Sequence, residues 1–254
     1  TAPPLRVFDG TVDREIIRIP YNPTSGAGTN SLFIMDLCSH NGQVVISVYD
    51  SGGTGPNHRG RVFVLEPSTG QLTQVGNSFG AGTGEAAGGM PMALCSYSGQ
   101  LWAGTYGVTA AGSGLVYNIY AGVSPTWTLD HTTAAGQGYV TSMANYQGDL
   151  YVATMADAGS AALLLKRSTL GVWTTSDTLT SAAAAAHYYA SLIVFEGNLY
   201  AGYYDSGAGG TTLIRRFDGT TWTAAVTVGA TYAGKQGGAA YIWKGDLYMT
   251  FVAS

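Results

Sequence analysis

The hydrophobic and polar positions follow one pattern that occurs five times along the chain. Each copy has a turn glycine, with a ring-bearing residue two positions before it and an aliphatic residue two positions after it. The glycines are Gly42, Gly99, Gly148, Gly197 and Gly245, separated by 57, 49, 49 and 48 residues. Apolar and polar residues alternate on both sides of each glycine, which predicts a β-hairpin in every copy.

Two further alternating segments follow the hairpin in three of the copies. They cover residues 114–120 and 126–130, 161–167 and 172–176, and 211–217 and 221–225. Trp127, Trp173 and Trp222 occupy matching places in the second segment of each pair. One repeat therefore consists of four short strands in about 48 residues, which is typical of a β-propeller blade.

The sequence predicts an all-β fold: a five-bladed β-propeller with four-stranded antiparallel blades, forming a single domain over residues 1–254. The predicted blades cover about 30–80, 88–132, 138–180, 187–230, and 237–254 together with 3–20. The last copy has only two strands, and Leu5-Arg-Val-Phe-Asp-Gly-Thr resembles the end of a third strand at Ile214-Arg-Arg-Phe-Asp-Gly-Thr. We therefore expect the N-terminal strands to pair with the C-terminal hairpin and close the ring, because closure removes exposed sheet edges.

These repeats give the whole chain a resemblance to the β-propeller superfamily. The Gly-x-Leu-Tyr hairpin followed by Phe-Asp-Gly-Thr-Thr-Trp at 217–222 resembles repeats of secreted and phage-encoded propellers. In blade number and repeat length the chain is similar to the tachylectin-2-like lectins, which bind amino sugars. The specific sugar-binding residues of those lectins are not found in this sequence, so the resemblance assigns no residue a role.

Charge and cysteine content narrow the range of partners. Charged residues make up 10% of the chain, against ~25% in a typical soluble domain, and the net charge is −4. We expect no nucleic-acid partner, because such binding needs a basic face, and no membrane insertion, because no apolar run approaches ~20 residues. Cys38 and Cys95 occupy equivalent positions on adjacent first strands, and we predict that both are free thiols. Seven basic residues recur at one place in the repeat, and we expect them on a solvated outer strand: Arg6, Arg59, Arg61, Lys166, Arg167, Arg215 and Arg216.

The loops that share one face of a propeller carry the candidate binding residues. One loop motif, Tyr-Asp-Ser-Gly, occurs twice, beginning at Tyr49 and at Tyr204. Tyrosines also recur in the predicted loops between blades. Tyrosine rings stack on the C–H faces of sugars, and aspartates accept hydrogen bonds from sugar hydroxyls. Turn chemistry explains the Asp-Ser-Gly motifs better than sugar binding does, because the aspartate satisfies its own backbone there, whereas ordinary packing and sugar binding explain the tyrosines equally well. The candidate ligand-binding residues are Asp50, His58, Tyr139, Asp157, His187, Tyr188, Asp205 and Tyr232.

Catalytic groups are scarce on the predicted inner strands. Glycoside hydrolysis needs two carboxyl groups about 5 to 9.5 Å apart, and the five inner strands carry only Asp36. We expect this carboxylate to be hydrogen-bonded to neighbouring backbone. No residue is assigned to catalysis, to a metal or to a cofactor.

The sequence favours a non-enzymatic recognition or assembly module, located on a virion surface or outside the cell. Its low charge and its many small residues suit a virion protein. The expected partner is a carbohydrate, such as a surface glycan, or another virion or surface protein. Two alternatives stay open: a purely structural virion decoration or spike protein, and a glycoside hydrolase or lyase with its site at the mouth of the channel.

Overall fold

The computed structural model describes residues 4–8, 13–18, 32–50, 59–66, 68–79, 89–106, 113–119, 126–156, 160–179, 187–205, 212–227 and 236–252. Within these ranges the chain forms 20 β-strands and no helix, and adjacent strands pair in antiparallel fashion. The predicted all-β, antiparallel class is therefore confirmed. The same ranges contain no helix with the length and apolar character needed to cross a membrane.

The strands follow the predicted four-strand repeat. The N-terminal pair is β1 (Pro4–Phe8) and β2 (Asp13–Arg18). The first repeat contains β3 (Leu32–His40), β4 (Gln43–Asp50), β5 (Arg59–Glu66) and β6 (Gln71–Gln74). The second contains β7 (Met90–Tyr97), β8 (Gln100–Tyr106), β9 (Leu115–Ile119) and β10 (Thr128–Thr132). The third contains β11 (Tyr139–Tyr146), β12 (Asp149–Ala156), β13 (Ala162–Arg167) and β14 (Trp173–Leu179). The fourth contains β15 (His187–Phe195), β16 (Asn198–Asp205), β17 (Thr212–Phe217) and β18 (Trp222–Thr227), and β19 (Gln236–Trp243) and β20 (Asp246–Val252) follow.

Each complete repeat is an antiparallel meander in chain order. Strands β3 to β6 form one four-stranded sheet, and the other three repeats have the same strand order within a larger sheet. In that sheet β8 also pairs with β11, and β12 with β15, through one or two residues at the strand ends. Strands β1 and β2 form a two-stranded sheet, and β19 and β20 form another. The closing four-stranded blade therefore stays a prediction.

Residue contacts divide the chain into two units. The first comprises residues 1–103 and 117–129, and the second comprises residues 104–116 and 130–254. In the first unit Ile46, Val48 and Leu65 form the centre of an apolar cluster. In the second unit one apolar cluster includes Tyr151 and Leu199, which belong to the Leu-Tyr motifs of the repeat. The repeated pattern therefore supplies the core of each unit.

The turn glycines adopt the conformation that the hairpins require. In all five copies the residue before the glycine has a φ between 46° and 51°, and the glycine itself has a φ between 72° and 87°. Two successive residues with positive φ define the type I′ turn, whose twist matches that of paired strands. Only glycine adopts this backbone at little cost in the second position, which explains why the glycine recurs while the preceding residue varies.

Two basic residues differ from the sequence expectation of a solvated strand. Arg167 donates two hydrogen bonds to the carboxylate of Asp130, at 2.9 and 3.1 Å, and Trp173 donates a third at 2.8 Å. Arg215 pairs with Asp177, which also accepts a hydrogen bond from the Tyr189 hydroxyl at 2.7 Å. The two arginine side chains are only 18% and 19% exposed. The expectation of a solvated strand is wrong for these two, because each arginine reaches a carboxylate on the fourth strand of the preceding repeat.

Candidate functional site

Two of the candidate tyrosines lie in one row that crosses five strands of the second unit. Tyr139 in β11 is directly opposite Tyr106 in β8 on one side and Met155 in β12 on the other. Met155 is in turn opposite Tyr188 in β15, and Tyr188 is opposite Tyr204 in β16. Residues opposite each other in a sheet project their side chains from the same face. We call this set of Tyr106, Tyr139, Met155, Tyr188 and Tyr204 the aromatic row.

The rings in the aromatic row contact one another in two pairs. The centroids of Tyr106 and Tyr139 are 4.3 Å apart, and their planes differ by 27°, so these rings are stacked. The centroids of Tyr188 and Tyr204 are 5.1 Å apart with the planes tilted by 54°. Tyr204 is buried, whereas the other four members are half-buried. The row therefore consists of two ring pairs with Met155 between them in the strand register, and four of its five residues are partly accessible.

The repeat explains why the row forms. Its members lie either nine residues before a turn glycine or seven residues after it, so each hairpin brings one of each kind together. In β11 and β15 the strand register shifts just after the row tyrosine, between Val140 and Ser142 and between Tyr189 and Ser191. Such β-bulges change the direction of neighbouring side chains and are common beside functional sites.

Small residues lie beside the row on the same face of the sheet. They are found two positions before the row member in each second strand: Gly104, Ala153 and Gly202. A Cβ atom on Gly104 would lie 2.1 Å from Cγ1 of Val140, so only glycine permits this approach between β8 and β11. The glycine that ends the Leu-Trp-Ala-Gly segment of β8 therefore allows Tyr106 and Tyr139 to meet.

The electrostatic surroundings of the row carry little charge. Burial, together with the neighbouring Tyr204, raises the pKa of the Tyr188 hydroxyl to about 12, so this phenol is neutral at physiological pH. The described basic side chains on the neighbouring strands β13 and β17 lie towards the opposite end of the sheet. Lys166 is opposite Tyr151, for example, and Arg216 is opposite Tyr200. The row therefore suits a neutral ligand better than an anionic one.

For three of the remaining sequence candidates the structure gives the position in a strand. Asp50 ends β4, Asp205 ends β16, and His187 begins β15 directly opposite Asp205. His187 and Asp205 are therefore one position from the aromatic row, at the same end of the sheet. The other three candidates lie outside the described residues: His58, Asp157 and Tyr232.

Sequence reasoning missed three members of the row, namely Tyr106, Met155 and Tyr204. All three lie seven residues after a turn glycine, and this constant spacing is the signal that could have identified them. In the sequence, the motif Tyr204-Asp-Ser-Gly identifies its aspartate, Asp205, as the candidate ligand-binding residue. The tyrosine that precedes the aspartate is the residue that completes the row.

Asp36 has the predicted role of a carboxylate hydrogen-bonded to backbone. Its two oxygens accept hydrogen bonds from the N–H groups of Leu37 at 2.8 Å and Leu94 at 2.7 Å. At the equivalent place in the third repeat, the hydroxyl of Ser142 accepts a hydrogen bond from the N–H of Leu192 at 2.9 Å. Burial raises the pKa of Asp36 to about 6, although the two backbone hydrogen bonds oppose this change.

The other titratable groups near Asp36 are engaged in packing. Cys38 and Cys95 are free thiols, as predicted, and burial is the main reason why the pKa of Cys38 rises to about 12. His40 is buried, with Nδ1 2.8 Å from the Ser96 hydroxyl. No group of three histidine, cysteine, aspartate or glutamate side chains within the described ranges is arranged to hold a metal ion.

Comparison with known proteins finds similarity to solved structures. No protein-family model and no curated protein sequence matches this chain. A solved structure named as a complex of BT0996 and RGII superposes with a TM-score of 0.48 and 10% sequence identity, covering 87% of this chain and 83% of the other protein. A similarity of this size is too low to assign a fold or a function.

Proposed function

We propose that this chain is a non-enzymatic recognition module that binds a carbohydrate along the aromatic row. The observation that carries the proposal is the row of four tyrosines and one methionine that lie directly opposite one another at the strand ends of the second unit. A tyrosine offers an apolar ring face and a hydroxyl that donates and accepts hydrogen bonds. A sugar needs both kinds of contact, because its C–H faces are apolar and its hydroxyl groups are polar.

The proposed architecture is a closed ring of five blades. Strands β1 and β2 would supply the third and fourth strands of the blade whose first two strands are β19 and β20. The similarity between the sequence segments that begin at Leu5 and at Ile214 supports this assignment. Exposed apolar side chains on β19 and β20 also support the assignment, because third and fourth strands bury such surface in the other repeats. These side chains are Tyr241, Ile242, Trp243 and Tyr248.

Two other functions remain as alternatives. A purely structural role as a virion decoration or spike protein would bury the aromatic row against another chain, and we propose a virion surface or extracellular location for either non-enzymatic role. A hydrolase or lyase would need a second carboxyl group near Asp36. Both oxygens of Asp36 already accept backbone hydrogen bonds, which favours a structural role for this residue.

The proposed function is tested by screening the protein on a glycan array and then measuring one variant. Tyr188→Ala should weaken glycan binding by roughly 1–3 kcal/mol, as is usual for an aromatic anchor, while the melting temperature changes little. The matched control is Tyr200→Ala, which removes a half-buried tyrosine from the opposite end of β16. Binding should also depend weakly on salt concentration, because no ionic contact is involved.

Two results would contradict the proposal. One is a Tyr188→Ala variant that melts at a clearly lower temperature but binds the glycan as tightly as the original chain, which would make this tyrosine a packing residue. The other is an array with no bound glycan at all. In that case the structural role becomes the better account, and the aromatic row should be protected from solvent in an assembly with another chain.

A further inference from the structure

We infer that the aromatic row binds one extended, neutral glycan chain that runs across the strands, and not a separate monosaccharide at each repeat. This inference rests on the proposed function and specifies the class of ligand. The occupant would be a linear oligosaccharide whose sugar rings carry equatorial substituents. Such sugars expose flat C–H faces along the chain, and these faces can lie on successive members of the row.

The length of the row fits a chain better than a single sugar. Neighbouring strands lie about 4.8 Å apart, so the three intervals between Tyr106 and Tyr188, the ends of the half-buried part of the row, span about 14 Å. Tyr139 and Tyr188 are separated by two intervals, or about 10 Å, which is close to the length of a disaccharide. Met155 lies between them and supplies an apolar, adaptable contact. No loop interrupts the row, since all five residues are directly opposite one another in one hydrogen-bonded sheet.

The packing of the rings also disfavours a pocket that encloses one sugar. Tyr106 and Tyr139 are stacked at 4.3 Å, so the faces that they turn towards each other are already covered. A sugar cannot enter between these two rings. Four of the five row members are half-buried, so a ligand reaches only their exposed parts, and a chain that lies along the row contacts more of these parts than a single sugar does.

The charge near the row indicates a neutral chain. The five row members are uncharged, and the small residues beside them, Gly104, Ala153 and Gly202, add no charge. The described basic residues on the neighbouring strands lie towards the other end of the sheet, where Lys166 is opposite Tyr151 and Arg216 is opposite Tyr200. Among the described residues, therefore, the row has no cation beside it that could pair with an anionic polysaccharide.

The experiment measures how affinity depends on chain length. Glucose, cellobiose, cellotetraose and cellohexaose are titrated into the full-length protein by isothermal titration calorimetry. The affinity should rise at least about tenfold from cellobiose to cellotetraose, because the longer chain engages a second part of the row without a second loss of translational freedom. The stoichiometry should be one chain per protein.

Variants link the length dependence to the row. Tyr139→Ala should lower the affinity for cellotetraose about tenfold and reduce the difference between cellotetraose and cellobiose. Tyr139→Phe keeps the ring and should retain most of the affinity, which shows that loss of binding in the alanine variant is due to the missing ring. Tyr200→Ala at the other end of the sheet should bind the whole series normally. Each variant is compared with the original chain by its melting temperature.

The outcomes separate this inference from the proposed function. Equal affinity for cellobiose and cellotetraose, or several glucose molecules bound per protein, would overturn the extended-chain inference while carbohydrate binding stands. Binding on the array to charged or branched glycans, with none to the cello-oligosaccharides, would have the same effect. Absence of binding to every glycan would overturn both.

Discussion

The buried carboxylate of Asp36 makes a specific prediction about stability and pH. Its ionised form accepts hydrogen bonds from Leu37 and Leu94, but burial raises its pKa from 3.8 to about 6. In the third repeat an uncharged side chain takes the place of this carboxylate, because the Ser142 hydroxyl accepts the equivalent hydrogen bond from the N–H of Leu192. We therefore propose Asp36→Ser as the perturbation, since serine keeps an acceptor at this place and removes the ionisable group.

The direction of the effect follows from proton binding. Between pH 3.8 and about 6 the folded protein holds a proton on Asp36 that the unfolded chain has lost. The contribution of Asp36 to the free energy of unfolding therefore falls as the pH rises through this window and is lowest above it. One pKa unit corresponds to about 1.4 kcal/mol, so the ionised carboxylate lowers stability above pH 6 by about 3 kcal/mol relative to its protonated form.

The assay is urea unfolding of the original chain and of Asp36→Ser at a series of pH values from 3.5 to 7.5. The stability difference between the two proteins should shift in favour of the serine variant by about 3 kcal/mol as the pH rises across this range. Taking a difference cancels the contribution of all other titrating groups, including His40. Asp36→Ala is the control, because it removes the charge and leaves the N–H of Leu94 without this acceptor, which costs about 1–3 kcal/mol at every pH. A stability difference that does not change with pH would refute the reasoning.

Three further predictions concern ring closure and packing. If β1 pairs with β20 as β17 pairs with β16, the double variant Arg6→Cys, Met249→Cys should form a disulfide on oxidation, seen as faster migration on a non-reducing gel. Failure to link would argue against the closing blade, and the single Met249→Cys variant is the control. Gly104→Ala should lower the melting temperature markedly, because its Cβ would overlap Val140, and a variant as stable as the original chain would exclude this contact. Asp130→Ala should cost about 3 kcal/mol in chemical unfolding, because it removes the acceptor of two hydrogen bonds from the largely buried Arg167 and of one from Trp173; a loss below about 0.5 kcal/mol would show that the pair is solvated.

Local features of the fold could be read from the sequence because they depend on short-range chemistry. A glycine followed by alternating apolar residues requires a tight turn between two strands, and the five type I′ turns satisfy that requirement. Predicted and observed strand ends differ by up to about three residues, as for the fourth strand 172–176, observed as Trp173–Leu179. Such shifts are expected, because hydrogen bonds from the neighbouring strand extend or shorten a strand.

Features that depend on distant parts of the chain could not be read in the same way. The sequence places Arg167 in solvent, yet it is paired with Asp130, and nothing in the residues around Arg167 identifies a partner 37 positions away. The candidate site shows the same difficulty. Tyr139 and Tyr188 stand out in the sequence as tyrosines near loops, whereas Tyr106 and Tyr204 look like ordinary ends of second strands.

The sequence by itself determined the repeated hairpins, the turn geometry and the all-β, antiparallel class. These features follow from the alternation of apolar residues and from the need for positive φ in a two-residue turn, and both are properties of residues close together in the chain. Tertiary structure alone decided which side chains share a face across strands. The aromatic row exists because β8 contacts β11, and β12 contacts β15, at the strand ends. That register depends on bulges and on a close approach at Gly104, which are set by packing between repeats and have no short-range signature in the sequence.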